Sequence, residues 1–423
     1  MNNKTKLIFI IIGLVILLVG VFGFVLAKTK LIEDDNFNYA IPAYDKNGLV
    51  ASLGEIEKTE VVPPVKHLKT PTPLQAVYMT SCVAVTPSLR ERLINLVETT
   101  EINAIVLDLK DYTGAISFTP ISDELKPYAI SHCPIKDLKS LVEEWHDKGI
   151  YVIGRVTVFQ DPLFTKNNPE VAVKSLALPT EMWKDKKGLT YIDPASKLAH
   201  DHIIEIAKDA YAQGVDELNF DYIRFPSDGK MSDIWLPITK SSTAKPEVLE
   251  SFFAYLQSEL KPTGMIISAD VFGVITSTFV DVGIGQLWEH FLPYFDYVSP
   301  MVYPSHYYAG FGNITKPNLY PYEVVYGALE FAVTRTLATS TTIKTLQGKP
   351  IASTSPQLYT KPVFSINKIR PWLQDFDYPV PYTPSMVLAQ IKATYDVGLD
   401  SFMMWDPTNT YTSSVYKPSL LNQ

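Results

Sequence analysis

The sequence has 423 residues, a formal net charge of −8, 46% hydrophobic residues and 19% charged residues. This composition excludes a disordered chain, and the length suits one large barrel-sized domain or two smaller ones. The acidic balance and the lack of a basic block argue against nucleic acid as a partner.

The cysteines and histidines give no sign of metal or redox chemistry. Cys82 and Cys133 are too few for a disulfide framework and form no CxxC pair, so they either make one bridge outside the cell or are simply buried. His200 and His202 lie two residues apart within a helical run, which is not the spacing of a zinc-binding helix. The sequence therefore predicts no metal and no cofactor.

The N-terminal segment predicts a membrane anchor. Residues 7–27 contain no charged residue and have lysines on both sides. At about 1.5 Å per residue, such a helix is about 30 Å long, which matches a bilayer core. A cleaved signal peptide is the alternative, although the run exceeds the roughly 7–15 apolar residues of such a signal. We expect a single-pass cell-membrane protein with residues 1–6 in the cytoplasm, or else a secreted protein.

The remaining chain divides into three parts. Residues 28–73 contain five prolines among polar residues without a sustained period, which predicts an extracytoplasmic linker. Residues 74–410 carry the periodic segments of a folded domain, and residues 411–423 form a C-terminal tail. The body is therefore expected to stand outside the cytoplasm.

Apolar strand-like segments alternate with helix-like segments from residue 74 onward. Eight strands are predicted at 75–80, 104–108, 151–158, within 214–226, and at 265–271, 297–303, 369–375 and 401–405. Helices are predicted at 88–98, 138–148, 196–213, 247–260, 284–292, 322–339 and 384–397. This number and order predict a (β/α)₈ TIM barrel. An open doubly wound sheet is the alternative, but it more often has a Gly-rich turn after its first strand.

Polar side chains cluster at the predicted C-terminal ends of these strands, where barrels keep their chemistry. Asp221 and Asp270 are the candidate catalytic pair, because glycosidic cleavage commonly uses two carboxylates on neighbouring strand ends. The candidate substrate-binding residues are Asp108, Lys110, Arg155, Asn219, Arg224, Tyr303, His306, Gln374 and Trp405. Trp372 is equally consistent with sugar stacking and with core packing.

Each candidate also has a structural interpretation. Asp221 and Arg224 are three residues apart, so they could form an ion pair with no catalytic role. His306 fits an ordinary hydrogen-bonded loop histidine. Arg155, Lys110 or Arg224 could equally hold one aspartate ionised by favouring its charged form.

Six motifs in order resemble a known family. They are IVLDLKDYTG, IGRVTVFQD, ELNFDYIRFPSDG, ISADVFG, YVSPMVYPSHY and PWLQDF. Together they resemble the glycosyl hydrolase domain family long catalogued as a bacterial domain of unknown function, over residues 74–409. The resemblance implies a barrel related to glycoside hydrolases, with Asp221 as the leading catalytic candidate. The chain departs from the distantly similar α-amylase-type pattern, with Asn219 at an arginine position and Asp270 at a glutamate position.

Three functions are compatible with the sequence. The first is a membrane-anchored glycoside hydrolase that acts on a cell-envelope or extracellular polysaccharide through Asp221 and Asp270. The second is a non-catalytic carbohydrate-binding barrel. The third is a scaffold of envelope assembly, which predicts an exposed apolar patch on the barrel wall.

Overall fold

The computed structural model describes residues 65–352 and 354–419. The predicted anchor at residues 7–27 and most of the linker lie outside this part of the chain. Within it, no helix is both long and apolar enough to cross a bilayer.

Eight parallel strands close into a barrel, which confirms the predicted (β/α)₈ fold. They are β1 (Gln75–Met79), β2 (Ala104–Lys110), β3 (Tyr151–Thr157), β4 (Glu217–Asp221), β5 (Ile266–Phe272), β6 (Tyr297–Met301), β7 (Trp372–Gln374) and β8 (Phe402–Trp405). Consecutive strands are neighbours, and β1 pairs with both β2 and β8. The alternative of an open sheet is therefore wrong.

Helices follow most of the strands, as predicted. The described helices are α1 (Ser81–Val85), α2 (Pro87–Thr99), α3 (Leu138–Asp147), α4 (Pro162–Asn167), α5 (Lys197–Ala212), α6 (Lys245–Leu260), α7 (Trp288–Phe291), α8 (Pro321–Leu337) and α9 (Pro384–Asp396). The two shortest helices of the first half, α1 and α4, were not anticipated from the sequence.

Proline marks the start of several helices. Pro87, Pro162, Pro321 and Pro384 each occupy the first position of their helix, where the missing N–H costs nothing. Thr383 caps α9, because its side chain accepts a hydrogen bond from the backbone N–H of the third helical residue. These local signals explain why the predicted starts lie close to the observed ones.

Burial of the strands on both faces explains the apolar runs of the sequence. Every residue of β1, β2, β3 and β4 is buried, as expected for parallel strands covered on both faces. The turn from α5 into β4 uses Gly214 at φ +103°, a left-handed backbone that glycine adopts without strain. Strand β4 then ends at Asp221, because Tyr222 adopts a left-handed backbone with φ +50°.

Strand β7 is shorter than predicted. Ile369 forms an isolated parallel bridge with Val298 of β6, and the continuous strand starts only after Pro371, whose nitrogen carries no hydrogen to donate. The carbonyl of Pro371 still accepts a hydrogen bond from the N–H of Met403 at 2.8 Å. The proline therefore separates this single bridge from the continuous strand and shortens β7 relative to the prediction.

Cys82 and Cys133 form a disulfide, which decides between the two alternatives left open by the sequence. Cys82 belongs to α1, and Cys133 lies in the connection before α3, 51 residues further along the chain. The bridge thus fastens the long β2–α3 connection to the segment that follows β1.

Candidate active site

A cavity of about 180 Å³ opens among the C-terminal ends of the strands. It is lined by Arg155, Asp221, Tyr222, Arg224, Asp270, Phe272, Met301, Tyr303, Trp372 and Trp405. This is the face on which barrel enzymes carry their active sites. We call this cavity the cleft.

A larger cavity of about 980 Å³ lies at the other end of the barrel. Its lining includes residues that precede strands, such as Asn103 before β2, Ile150 before β3 and Asp400 before β8. Side chains at the N-terminal face of a barrel generally serve stability. The cleft is therefore the candidate site despite its smaller volume.

Arg155 links two carboxylates beneath the cleft. Its Nη1 donates to Asp108 Oδ1 at 2.6 Å, and its Nε donates to Asp221 Oδ2 at 3.1 Å, with a further bond from Nη2 to the same oxygen. Asp108 also accepts a short hydrogen bond from the Tyr78 hydroxyl. The pairing of β3 with β4 brings these groups together, because Thr157 lies opposite Asp221 and Arg155 opposite Asn219.

The electrostatics of this group favour a charged Arg155. Burial opposes its charge, but Asp108 and Asp221 hold the pKa of the guanidinium well above its ordinary value. Burial raises the pKa of Asp108, and the charge of Arg155 partly offsets that rise. The ion pair of Asp221 is thus made with Arg155, and the structural ion pair considered between Asp221 and Arg224 is absent from the salt bridges of the described residues.

Asp270 stands on the neighbouring strand in a different environment. Phe220 is opposite Ala269 in the β4–β5 register, so Asp221 and Asp270 are at adjacent strand ends. Asp270 Oδ1 accepts hydrogen bonds from Asn219 Nδ2 at 2.9 Å and from Trp372 Nε1 at 2.7 Å. Burial, and then the negative charge of Asp221, raise the pKa of Asp270 well above its usual range. The cleft therefore holds one carboxylate paired with an arginine and one carboxyl whose pKa is raised.

Aromatic side chains form one wall of the cleft. Trp405 stacks on Tyr78 with ring centroids 4.0 Å apart, and Trp372 meets Trp405 edge-on at 5.6 Å. Tyr303 is buried beside the two aspartates, and burial together with Asp270 and Asp221 raises the pKa of its hydroxyl well above the ordinary value. Its O–H therefore remains a hydrogen-bond donor at every physiological pH.

Comparison with known sequences identifies the family to which this chain belongs. A family model described as "putative glycosyl hydrolase domain" matches residues 76–411. This chain belongs to that glycosyl hydrolase domain family. The resemblance carried by the six motifs is thereby confirmed. Among curated proteins, none matches the chain.

Three solved structures are similar to this family member. A hypothetical protein from Ruminiclostridium thermocellum ATCC 27405 is 33% identical, over 46% of this chain and 97% of that chain, with a TM-score of 0.42. The PgaB (BpsB) glycoside hydrolase domain from Bordetella bronchiseptica is 15% identical, over 82% and 99% of the two chains, with a TM-score of 0.54. The α-galactosidase TtGalA from Thermus thermophilus is 10% identical, over 83% and 61%, with a TM-score of 0.48. The Bordetella domain shows that the fold is one that a glycoside hydrolase domain adopts.

Six of the residues predicted for the site line the cleft of this family member. They are Asp221, Asp270, Arg155, Arg224, Tyr303 and Trp405. Asp108 and Asn219 lie just beneath it and act on Arg155 and Asp270 respectively. Trp372, for which sugar stacking and core packing were equally consistent with the sequence, is buried, lines the cleft and donates to Asp270.

Three predicted residues lie away from the cleft lining. Lys110 is fully buried in an ion pair with Asp161 at 2.8 Å. Gln374 has its side chain engaged by the loops above the barrel, since Oε1 accepts from Ser305 and Nε2 donates to the carbonyl of Phe376 at 2.9 Å. His306 is exposed in the loop after β6, where its ring meets Tyr303 edge-on. The structure therefore does not bring these three residues into the lining of the cleft.

The sequence did not single out four other residues of the site. Tyr78 was taken as part of an apolar strand, yet its hydroxyl donates to Asp108. Tyr222, Phe272 and Met301 also line the cleft. Of these three side chains, only that of Tyr222 carries a polar group, its hydroxyl, as a signal of a role in the site. Within residues 65–352 and 354–419, no cluster of three or more metal-ligating side chains is found.

Proposed function

We propose that this protein is a membrane-anchored glycoside hydrolase that cleaves a cell-envelope or extracellular polysaccharide through Asp221 and Asp270. One observation carries the proposal. Two carboxyl groups at adjacent strand ends line the same cleft in opposite protonation environments, one paired with an arginine and one with a raised pKa. Glycosidic cleavage needs one carboxylic acid and one carboxylate on either side of the scissile bond.

Asp270 is the proposed general acid. Burial and the negative charge of Asp221 raise its pKa well above the usual range, which favours the protonated form that a general acid needs. Both of its recorded hydrogen bonds reach Oδ1, which leaves Oδ2 to carry the proton toward the glycosidic oxygen. Donation of that proton as the C–O bond breaks avoids the release of a poor alkoxide leaving group.

Asp221 is the proposed nucleophile or base. Arg155 stabilises its charged form, and the backbone N–H of Tyr222 donates to its Oδ1 at 2.6 Å. A carboxylate fixed in this way attacks the anomeric carbon in a retaining enzyme or removes a proton from water in an inverting one. In either mechanism, Asp221 reacts as a carboxylate and Asp270 supplies the proton.

The walls of the cleft suit a sugar ring. Trp405 is partly exposed and offers an apolar surface on which a ring can stack. The Tyr303 hydroxyl can donate a hydrogen bond to a sugar hydroxyl. The cavity of about 180 Å³ is smaller than the roughly 300–1,000 Å³ of sites for drug-sized ligands. A single sugar unit therefore occupies the cleft, and the rest of the polymer lies over the surrounding loops.

The disulfide supports the proposed location outside the cytoplasm. Bridges such as Cys82–Cys133 form and persist in oxidising compartments and are rare in reducing ones. The uncharged run at residues 7–27 supports an anchor that holds the barrel at the cell surface. Fractionation tests this part. The full chain should sediment with membranes, and its barrel should be digested by protease added to intact cells stripped of their wall.

Reducing-sugar release is the test of the activity. Residues 72–423 are assayed on a panel of envelope and extracellular polysaccharides beside Asp221→Asn and Asp270→Asn. The matched control is Asp147→Asn, which changes an exposed aspartate at the end of α3. Release by the parent and the control that is lost in both cleft variants, with folding intact by circular dichroism, supports the hydrolase. Glycan binding without release by any protein leaves the carbohydrate-binding barrel as the function.

A further inference from the structure

Arg224 is a buried cation in the wall of the cleft. Only 7% of the residue is exposed, and it is among the cleft-lining residues. Its guanidinium carbon lies 4.7 Å from the ring centroid of Tyr222 and 4.8 Å from that of Phe272. Two aromatic rings therefore limit the positions that this guanidinium can take.

The other buried arginines of the described chain are all neutralised by a carboxylate. Arg155 pairs with Asp108 at 2.6 Å, Arg335 pairs with Glu289, and Arg370 pairs with Glu217 at 2.8 Å. Arg224 has no carboxylate oxygen within 4.0 Å among residues 65–352 and 354–419. It is thus the exception within a fold that otherwise pairs its buried guanidinium groups.

The acidic groups around Arg224 are committed elsewhere. Asp221, three residues earlier, directs Oδ2 to Arg155 and Oδ1 to a backbone N–H. Asp185, on the loop beside Tyr191 and Tyr222, accepts hydrogen bonds from the N–H groups of Lys187 and Leu189, both at 2.8 Å. Among the salt bridges of the described residues, neither carboxylate is paired with Arg224.

Arg224 also keeps donors free. Nη1 donates to the carbonyl of Phe225 at 3.1 Å. A guanidinium carries five N–H donors. The donors that remain have no partner within the described chain and border the cleft. A buried charge is ordinarily paired, because an unpaired one carries a large desolvation cost.

We propose that Arg224 is a specificity-determining residue that binds an oxyanion on the sugar in the cleft, so that the substrate is an acidic glycan. The anion is a carboxylate or a phosphate ester, since the planar fork of a guanidinium matches both in a bidentate manner. Asp221 ends β4 and Arg224 follows three residues later, and both line the cleft. The anion-binding group and the proposed reacting carboxylate therefore contact the same sugar unit. This inference deepens the proposed function and rests on it for the identity of the bound polymer.

Binding to a catalytically silent protein separates this inference from the activity. Asp270→Asn is the background, because asparagine keeps the shape of the carboxyl group but cannot supply the proton of the proposed general acid. The carboxylate probes are trigalacturonate, an oligomannuronate and a hyaluronan tetrasaccharide, each beside its carboxyl-reduced neutral counterpart. Glucose 6-phosphate beside glucose tests the phosphate ester. Affinities are measured by calorimetry or by NMR titration at constant ionic strength.

We expect at least one acidic probe to bind about 10- to 100-fold more tightly than its neutral counterpart. Adding Arg224→Gln should abolish that preference, and Arg224→Lys should retain part of it because the charge remains. The matched control is Lys316→Gln, which removes one exposed positive charge in the loop after β6 and should leave the preference unchanged. Circular dichroism of each variant checks that it is folded.

The outcomes are distinct. If acidic and neutral probes bind equally, if no acidic probe binds, or if Arg224→Gln keeps the preference, the inference is wrong. A preference seen with glucose 6-phosphate alone assigns the anion as a phosphate. If the acidic preference depends on Arg224 but the unmodified protein releases no reducing sugar, the anion site stands and the proposed hydrolase activity fails. If the protein hydrolyses neutral glycans only, the proposed hydrolase activity stands and the inference about Arg224 is wrong.

Discussion

Asp108 and Asp221 accept hydrogen bonds from opposite ends of one guanidinium, that of Arg155. Asp108 lies on β2, Arg155 on β3 and Asp221 at the end of β4, so the group joins three consecutive strands of the barrel. The arrangement fixes the proposed nucleophile or base from below and leaves its upper side facing the cleft. The same cation that orients Asp221 therefore also stabilises the barrel.

Replacing Arg155 by methionine should destabilise the protein strongly. Two buried carboxylates would lose their cation, and breaking a buried pair in this way typically costs about 3–5 kcal/mol. We expect a loss of that size in the free energy of unfolding, measured by urea denaturation at neutral pH. Adding Asp108→Asn to Arg155→Met should recover part of the loss. Arg92→Met, at an exposed arginine on α2, should cost about 1 kcal/mol or less. Equal losses for the two arginines would contradict the role given to Arg155.

The two aspartates should respond differently to the leaving group of the substrate. Asp270→Asn should lower kcat on the natural polymer by about 10²- to 10⁴-fold, because general acid catalysis is lost. On an aryl glycoside with an acidic phenol as leaving group, which departs without protonation, much of that loss should disappear. Asp221→Asn should remain inactive on both substrates. If the aryl glycoside rescues Asp221→Asn instead, the two roles are exchanged.

The stability of the protein should depend on the ionisation of Asp270. Its pKa is raised in the folded state, so the folded protein holds the proton more tightly than the unfolded chain does. The stabilisation from this proton is fully present below the ordinary value of 3.8 and is lost as pH rises to the folded pKa. Within that window, the free energy of unfolding of the parent should fall relative to that of Asp270→Asn by about 1.4 kcal/mol per pH unit. Parallel stability curves for the two proteins would show that Asp270 is ionised at neutral pH.

Trp372→Phe should shift the pH profile upward. The indole N–H donates to Asp270 at 2.7 Å and favours the ionised form of that carboxyl. Phenylalanine keeps an aromatic ring but removes the donor, so the pKa of Asp270 should rise further. We expect the basic limb of the kcat/KM profile to move to higher pH. Trp235→Phe, at an exposed tryptophan, serves as the control and should leave the limb in place. A limb that moves to lower pH would contradict the assignment of Asp270 as the acid.

Removing the disulfide should cost stability without affecting chemistry. The bridge closes a segment with a sequence separation of 51 residues, and loss of such a bridge typically costs about 2–4 kcal/mol. The double variant Cys82→Ser, Cys133→Ser should therefore unfold at lower denaturant concentration, while kcat stays near that of the parent because neither cysteine lines the cleft. Identical unfolding of the parent with and without reductant would show that the thiols are free in the purified protein.

Local sequence patterns were sufficient for the strands and for the strand-end carboxylates. Alternation along β4 put Asn219 and Asp221 on one face, and the structure directs Asn219 to Asp270 and places Asp221 in the cleft. The same alternation does not describe the side chains at the C-terminal end of β2. The pairing with β3 shifts register between Asp108 and Lys110, so Lys110 turns to Asp161 while Asp108 reaches Arg155. A bulge of this kind is set by the neighbouring strand and leaves no mark on the periodicity.

Contacts between distant segments could not be anticipated either. Proximity in sequence suggested that Arg224 would pair with Asp221, but strand pairing brings Arg155 from 66 residues away and satisfies Asp221 first. Trp372 reaches Asp270 across 102 residues, which a single sequence cannot show. The residue types of the site were therefore predictable, while the identity of each partner required the folded barrel.

The pairing of β1 with β8 has a consequence for how the protein is made. The N–H of Phe402 donates to the carbonyl of Leu74, and the N–H of Leu74 donates to the side chain of Ser401, across more than 300 residues. During synthesis, one edge of β1 therefore stays unpaired until almost the whole chain has left the ribosome. Such late, non-local closure makes folding slow and exposes apolar edges to aggregation meanwhile. A chain terminated before residue 402 would keep most of its residues and still have no partner for that first edge.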